Sequence, residues 1–204
     1  MQEQELTLAR VAADQAALVV DVLCEAFYEY PVMRYVLGDT RDYEMRLQQL
    51  VGLFVAGRAL RDDVMLGVRS GAGLVAVATT SDPAAPAHPD FERMRAAVWD
   101  SLGADAEQRY KHCVAAWGSM ASAVPQLHIN MLGVRRTQRG TGLGRRLVEA
   151  VHALARTDDQ ATGVSLTTEN PANVPFYRRL GYEVIGQARV APELEAWSLF
   201  WQKS

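Results

Sequence analysis

A glycine-rich segment joins a predicted strand to a predicted helix in the last third of the chain. It reads Arg139-Gly140-Thr141-Gly142-Leu143-Gly144-Arg145, and glycines at alternate positions let a ligand approach the backbone closely. At a helix N-terminus, free N–H groups and the positive end of the helix dipole form a site for an anion. Five arginines and no acid lie between residues 127 and 148. The segment therefore predicts a phosphate-binding loop.

Two common phosphate loops do not fit this segment. A Walker loop requires Lys directly after the last glycine, where Arg145 stands. A dinucleotide fingerprint requires G-x-G-x-x-G, and its last glycine would fall on Arg145 or Leu147. The pattern R/Q-x-x-G-x-G/A does fit, and it resembles the pyrophosphate loop with which the GNAT N-acetyltransferase superfamily holds coenzyme A.

A second motif lies about thirty residues downstream. Asn173-Val-Pro-Phe-Tyr177 and Leu180-Gly181-Tyr182 resemble the N-x-x-x-Y and L-G-F/Y block of the same superfamily. With residues 26–31 and the last strand through Trp197, the chain is similar to puromycin N-acetyltransferase and related bacterial enzymes. This similarity covers essentially the whole sequence, and the specific motifs lie in its C-terminal third.

The pattern of predicted elements agrees with the fold that this resemblance implies. Strands come first, two helical blocks interrupt them, and strand and helix alternate in the last third, which is typical of a mixed sheet covered by helices. We expect an α/β (α+β) GNAT fold, with a mixed, mostly antiparallel sheet of about seven strands flanked by helices. No linker divides the chain, so residues 1–204 are predicted to form a single domain.

The resemblance implies a co-substrate and a set of residues that bind it. Acetyl-CoA would lie along the fourth strand, where a bulge at 132–134 would free backbone N–H groups, and its pyrophosphate would lie on the loop. No metal is expected, because the histidines show no metal-ligand spacing. The predicted cofactor-binding residues are Leu132, Gly133, Val134, Arg139, Gly140, Thr141, Gly142, Leu143, Gly144, Arg145, Asn173 and Phe176.

Three residues are candidates for proton transfer. Tyr177 is the predicted acid that protonates the departing thiolate, and arginines nearby would lower its pKa. His128 is a candidate base, because strand alternation places it on one face with Asn130 and Leu132. Glu169, at the end of the next strand, is the rival base, and a water chain to solvent is the third alternative.

The predicted reaction is transfer of the acetyl group of acetyl-CoA to a primary amine of a small molecule, such as an antibiotic or an aminonucleoside. The alternatives are an acetyl-CoA-binding sensor without turnover and an acetyltransferase for protein N-termini or lysines. The first half of the chain is expected to recognise the acceptor. Its aromatic and apolar residues fit a binding pocket or the core equally: Tyr28, Tyr30, Met33, Trp99 and Trp117.

Charge and composition limit the classes of partner and the cellular location that we expect. A formal net charge of -3 argues against a protein that coats nucleic acid or an anionic membrane. The two cysteines, the acidic N-terminus and the short apolar runs fit a cytoplasmic enzyme without a signal peptide or a membrane span. A homodimer is common in the superfamily, although the sequence displays no interface.

Overall fold

The computed structural model describes residues 6–71, 73–86 and 88–204. The expectation about the acidic N-terminus concerns residues outside this range. The strands are β1 Leu6–Arg10, β2 Met65–Ser70, β3 Gly73–Ser81, β4 Leu127–Val134, β5 Gly163–Thr168, β6 Glu183–Ala191 and β7 Leu194–Gln202. The helices are α1 Ala16–Phe27, α2 Pro31–Leu37, α3 Tyr43–Leu60, α4 Pro89–Leu102, α5 Ala104–Ser119, α6 Leu143–Thr157 and α7 Val174–Arg178.

All strands join one sheet in the order β1-β2-β3-β4-β5-β7-β6. Every neighbouring pair is antiparallel except β4 and β5, which are parallel. This arrangement confirms the predicted mixed, mostly antiparallel sheet of seven strands flanked by helices. The last strand, β7, lies between β5 and β6 and leaves β6 at the edge.

Helices cover both faces of the sheet and form two separate apolar cores. The first core packs α1 to α5 on one face and includes Leu23, Leu47 and Met131. The second packs α6 and α7 on the other face and includes Leu147, Val151 and Tyr177. Alternation along the strands supplies both cores, since successive side chains point to opposite faces.

The first two helices begin in different ways. Asp14 lies in a short 3-10 turn, and α1 begins at Ala16 with no side-chain cap. α1 ends at Phe27, and α2 begins at Pro31. Proline is well suited to the first turn of a helix, because its missing N–H would have no partner there and its φ is already helical.

The long helical region in the middle of the chain divides at Gly103 into α4 and α5. No helix among the described residues is long and apolar enough to cross a lipid bilayer.

Candidate active site

The two parallel strands at the centre of the sheet separate partway along their length. β4 pairs with β5 only at Leu127, His128 and Ile129, and the last pair joins Ile129 to Leu166. Beyond it β4 continues to Val134 beside β3 alone. We call the space between the two strands beyond this pair the β4–β5 gap.

A β-bulge marks the point of separation. Thr80 of β3 faces Ile129 whereas Thr79 faces Met131, so Asn130 is an extra residue in β4. The bulge was predicted at 132–134, but that stretch pairs regularly with 76–78 of β3. The bulge therefore lies at the start of the β4–β5 gap.

The bulge changes which β4 residues direct their backbone groups toward β3 and which direct them toward the gap. The backbone N–H of Arg135 donates a hydrogen bond of 2.9 Å to the carbonyl oxygen of Val75 in β3. Since strand backbone groups alternate, Gly133 also faces β3, and Leu132 and Val134 direct their N–H and C=O groups toward the gap. These two predicted cofactor-binding residues thus present backbone groups that have no β5 partner among the described residues.

The side chains of β4 alternate differently from the prediction for the same reason. Leu132 packs with the α6 core, whereas Met131 packs with the α1 core. His128 and Leu132 therefore do not share a face. Gly133 serves a close approach rather than a bulge, because a Cβ there would lie 2.8 Å from the Cβ of Ala26 in α1.

The glycine-rich loop has the features of an anion site. Gly140 and Gly142 have φ values of 79° and 86°, in the left-handed region that favours glycine. Gly142 is the N-cap of α6, and within the described residues no backbone acceptor pairs with the N–H groups of 140–145. Free N–H groups at the positive end of a fifteen-residue helix favour a bound anion.

The arginines in and directly before the glycine-rich loop are partly neutralised by groups of α1 and α6. Glu25 of α1 accepts a hydrogen bond from Arg135 Nη1 at 2.6 Å and another from the N–H of Arg136 at 2.7 Å. Despite some desolvation, these contacts hold the pKa of Glu25 below its usual value. Arg145 pairs with Glu149 and Arg139 donates to the Ala26 carbonyl. The local excess of positive charge is therefore smaller than the sequence indicates.

Side chains of the loop serve mainly to hold its shape. Thr141 Oγ1 donates to the Gln138 carbonyl at 2.7 Å, and Leu143 is buried in the α6 core. Gly144 lies beside α7 and β4: a Cβ on it would stand 3.6 Å from Phe176 Cζ and 3.7 Å from Leu132 Cδ2. The structure thus brings the predicted Leu132, Gly144 and Phe176 together beside the gap.

A buried carboxylate lies at the end of β5. Glu169 is only 6% exposed, and its Oε1 accepts a hydrogen bond from Trp117 Nε1 of α5 at 2.7 Å. Burial raises the pKa of Glu169 to about 7, although the hydrogen bonds from Trp117 and from its neighbours oppose that shift. A carboxyl group that titrates near neutral pH can both accept and release a proton.

A hydroxyl network links Glu169 to the predicted Asn173. The backbone N–H of Glu169 donates to the Tyr30 hydroxyl at 3.2 Å, and that hydroxyl lies 2.7 Å from Thr168 Oγ1. Asn173 Nδ2 donates to the same Thr168 oxygen at 3.0 Å. Burial raises the pKa of Tyr30 above its usual range, and the negative charge of Glu169 adds to this. Tyr30 therefore stays protonated.

Tyr177 is buried where α7 meets the second core. Its ring contacts those of Phe176 and Tyr182 edge to face, with centroids 5.0 Å and 5.6 Å away. Burial raises the pKa of Tyr177 well above its usual range, so the expectation that arginines lower it was wrong. Tyr177 therefore stays protonated at physiological pH.

His128 is a poorer proton acceptor than the sequence indicates. Its Nδ1 lies 2.8 Å from Ser165 Oγ on the neighbouring strand, before the gap opens. Burial, aided by the positive charge of Arg58, lowers the pKa of His128 to about 4. The ring is neutral at physiological pH, but it binds a proton weakly.

The sequence pattern did not identify the two residues that hold Glu169. Trp117 lies in α5 and Tyr30 directly precedes α2, and only their aromatic character indicated a pocket. Met33 and Trp99, from the same aromatic and apolar set, are core residues at 5% and 6% exposure. The ring of Tyr28 packs edge to face on Tyr43 at 5.3 Å.

No cluster of three potential metal ligands occurs in residues 6–71, 73–86 and 88–204.

Comparison with known proteins gives a family and a fold. The family model described as an acetyltransferase (GNAT) domain matches residues 81–197, more than half of the chain. A histone acetyltransferase HPA2 and related acetyltransferase from Corynebacterium glutamicum has a similar structure, with a TM-score of 0.67, 19% identity and coverage of 98% of this chain and 97% of that one.

Two insect enzymes show the same likeness. Drosophila melanogaster polyamine N acetyltransferase has a TM-score of 0.64 at 19% identity, covering 96% of this chain and 98% of its own. Arylalkylamine N-Acetyltransferase 2 from Aedes aegypti has a TM-score of 0.65 at 14% identity, covering 96% and 97%. At these identities the likeness establishes the fold.

The contact between Glu169 and Trp117 predicts a titration near neutral pH. In protein labelled with 15N-tryptophan, the indole N–H resonance of Trp117 is expected to move with a midpoint near pH 7, because its acceptor gains charge there. Trp117→Phe identifies the resonance, and Glu169→Gln should abolish its titration. A midpoint near pH 4.5 would contradict the buried, weakly acidic carboxyl.

The same burial predicts a pH-dependent change in stability. The pKa of Glu169 rises from 4.5 to about 7 on folding, so the charge destabilises the native state above pH 7 and has no effect below about pH 4. Glu169→Gln should therefore raise the free energy of unfolding at pH 8 by up to roughly 3 kcal/mol. Denaturant unfolding of the two proteins at pH 8 and at about pH 4 measures this difference in the free energy of unfolding. Equal stability of the two proteins at pH 8 would contradict the raised pKa.

Proposed function

Because this chain belongs to the GNAT N-acetyltransferase family, we propose that it transfers the acetyl group of acetyl-CoA to a primary amine of a small molecule, by direct attack in a ternary complex. The observation that carries the proposal is the position and pKa of Glu169. A carboxyl group that titrates near pH 7 lies at the end of β5, beside the gap that opens between β4 and β5.

The chemistry requires one proton to move from the amine to the sulfur. The amine nitrogen attacks the thioester carbonyl, a C–N bond forms, the C–S bond breaks, and the ammonium proton must leave. Glu169 accepts that proton. With a pKa about three units above that of His128, it is the better acceptor by about 4 kcal/mol.

The departing thiolate then needs a proton. Tyr177, kept protonated by burial, donates a hydrogen bond to the sulfur and passes its proton as negative charge accumulates there. The hydroxyl of Tyr30 accepts a hydrogen bond from the backbone N–H of Glu169. In this proposal Glu169 returns the amine's proton to Tyr177 through Tyr30, and the protein ends the cycle as it began.

Backbone groups supply the rest of the site. The N–H groups of Leu132 and Val134 face the gap and would bond the pantetheine and the acetyl oxygen, where preorganised donors typically contribute a few kcal/mol. The free N–H groups of 140–145 would hold the pyrophosphate. Phe176 and Asn173 would flank the cofactor bound at the β4–β5 gap.

Small amines are the favoured acceptors. The insect enzymes of similar fold are named for polyamines and arylalkylamines. No puromycin N-acetyltransferase is among the similar structures described above, so aminonucleosides are acceptors to test only because the sequence motifs resemble that enzyme's. In this proposal residues 1–204 form one catalytic domain in the cytoplasm, which needs neither nucleic acid nor a membrane.

The direct experiment measures free CoA thiol released from acetyl-CoA in the presence of a pool of primary amines that includes puromycin. Amine-dependent release supports the proposal, and dividing the pool identifies the acceptor. Saturable acetyl-CoA binding without release would favour the sensor. Release only with peptide substrates would favour a protein acetyltransferase.

Tyr177→Phe is expected to lower kcat by about a hundredfold or more, since it removes the proton donor. The phenyl ring preserves the packing against Phe176 and Tyr182, so the affinity for acetyl-CoA should stay within about threefold. Steady-state kinetics and calorimetric titration of acetyl-CoA separate the two effects. An unchanged kcat would remove Tyr177 from the mechanism.

The loop assignment is tested by Gly142→Asp, with Gly142→Asn as the matched control. Both side chains tolerate the left-handed φ of 86° better than most, but only aspartate places a negative charge against the pyrophosphate. We expect Asp to weaken acetyl-CoA binding at least about tenfold more than Asn. Equal affinities of the two variants would contradict an anion site at this helix terminus.

A further inference from the structure

A guanidinium lies at the β4 bulge, on the same side of the sheet as Glu169. Arg58, near the end of α3, donates through Nη1 to Asn130 Oδ1 at 3.4 Å. Asn130 is the extra residue of the bulge, and its side chain is exposed. Because the gap opens at the bulge and Glu169 directly follows β5, Glu169 and Asn130, the partner of Arg58, both border the β4–β5 gap.

The charge of Arg58 is not balanced by its neighbours. Asp63 is shared by two guanidiniums: Arg61 donates to its Oδ2 through Nε at 3.0 Å and Nη2 at 2.6 Å, whereas Arg58 Nη1 lies 3.3 Å away. One carboxylate therefore faces two cations, and the nearby His128 is neutral at physiological pH. The Arg58 side chain is only 19% exposed, so a net positive charge is held in a largely desolvated place.

Such a charge is costly unless a counter-ion meets it. Burial and then the charge of Arg61 lower the pKa of Arg58, which expresses the same unfavourable environment. A partly buried guanidinium with donors to spare is the usual receptor for carboxylate and phosphate groups.

Packed aromatic rings connect the surroundings of Glu169 to those of Arg58. The ring of Tyr110 packs against Phe54, one helical turn before Arg58, and against Trp117, the partner of Glu169, with both centroid distances 5.8 Å. Trp117, Tyr110 and Phe54 thus form a continuous apolar wall from the carboxylate to the guanidinium.

We infer that the acceptor is an amine that also carries an anionic group, with the amine at Glu169, the anion at Arg58, and an apolar or aromatic spacer against Phe54, Tyr110 and Trp117. The inference rests on the proposed function and narrows its acceptor class. It favours amino acids with a spacer over neutral aminonucleosides and over diamines.

The test compares two acceptors that differ in one charge, 4-(2-aminoethyl)benzoate and 4-(2-aminoethyl)benzamide. Wild-type protein is expected to prefer the acid in kcat/KM by about tenfold or more, the usual range for a charge-assisted hydrogen bond. Aminoalkyl phosphates and ω-amino acids, assayed beside them, distinguish a phosphate from a carboxylate as the preferred anion.

Variants assign the preference to Arg58. Arg58→Gln should lower the acid-to-amide ratio at least about tenfold, and Arg58→Lys should restore part of it. Arg93→Gln removes an exposed arginine that pairs with Asp90 on α4 and should leave the ratio unchanged. Asp63→Asn removes the competing carboxylate and should keep or raise the ratio.

The failures are distinguishable. If wild-type protein acetylates no amine, the proposed function itself is wrong. If it acetylates both compounds equally, or if Asp63→Asn lowers the ratio as much as Arg58→Gln does, Arg58 belongs to a structural ion cluster and the inference is overturned, while the acetyltransferase remains.

Discussion

The end of hydrogen bonding between β4 and β5 is the constraint on which the rest of this site depends. Two adjacent parallel strands normally satisfy each other's backbone groups along their whole shared length. Here the extra residue Asn130 shifts the alternation of β4, and pairing stops at Ile129. The unpaired groups that follow would be costly if buried without partners. A ligand that lies between the strands, as an extended pantetheine does in our proposal, can satisfy them.

Glu169 directly follows β5 beside this opening, and its burial lowers the stability of its charged form. A buried carboxylate with one strong donor, Trp117 Nε1, is less stable when charged than it would be in water. The same cost raises its pKa toward the range in which a general base works at neutral pH. Trp117 of α5 and Tyr30, which directly precedes α2, hold this group, and in our proposal the loop before α6 binds the pyrophosphate.

How well the sequence predicts each part depends on how local that part is. The loop at 139–145 and the order of the elements follow from nearby residues: glycines at alternate positions, a buried stripe on α6, and strand alternation. The position of the bulge does not, because Asn130 becomes extra only through its register with β3. The Trp117–Glu169 bond joins residues 52 apart, and no periodicity connects them. The pKa of Tyr177 was predicted in the wrong direction, since burial in the second core outweighs arginines that pair elsewhere.

The most direct test is the pH dependence of kcat at saturating acetyl-CoA and amine, for wild-type protein and for Glu169→Gln. The account predicts that wild-type kcat rises with pH and levels off near pH 7, as the carboxyl loses its proton. In the variant this limb should disappear and kcat should fall by roughly a hundredfold or more. A variant that keeps both the limb and the rate would show that another group accepts the proton.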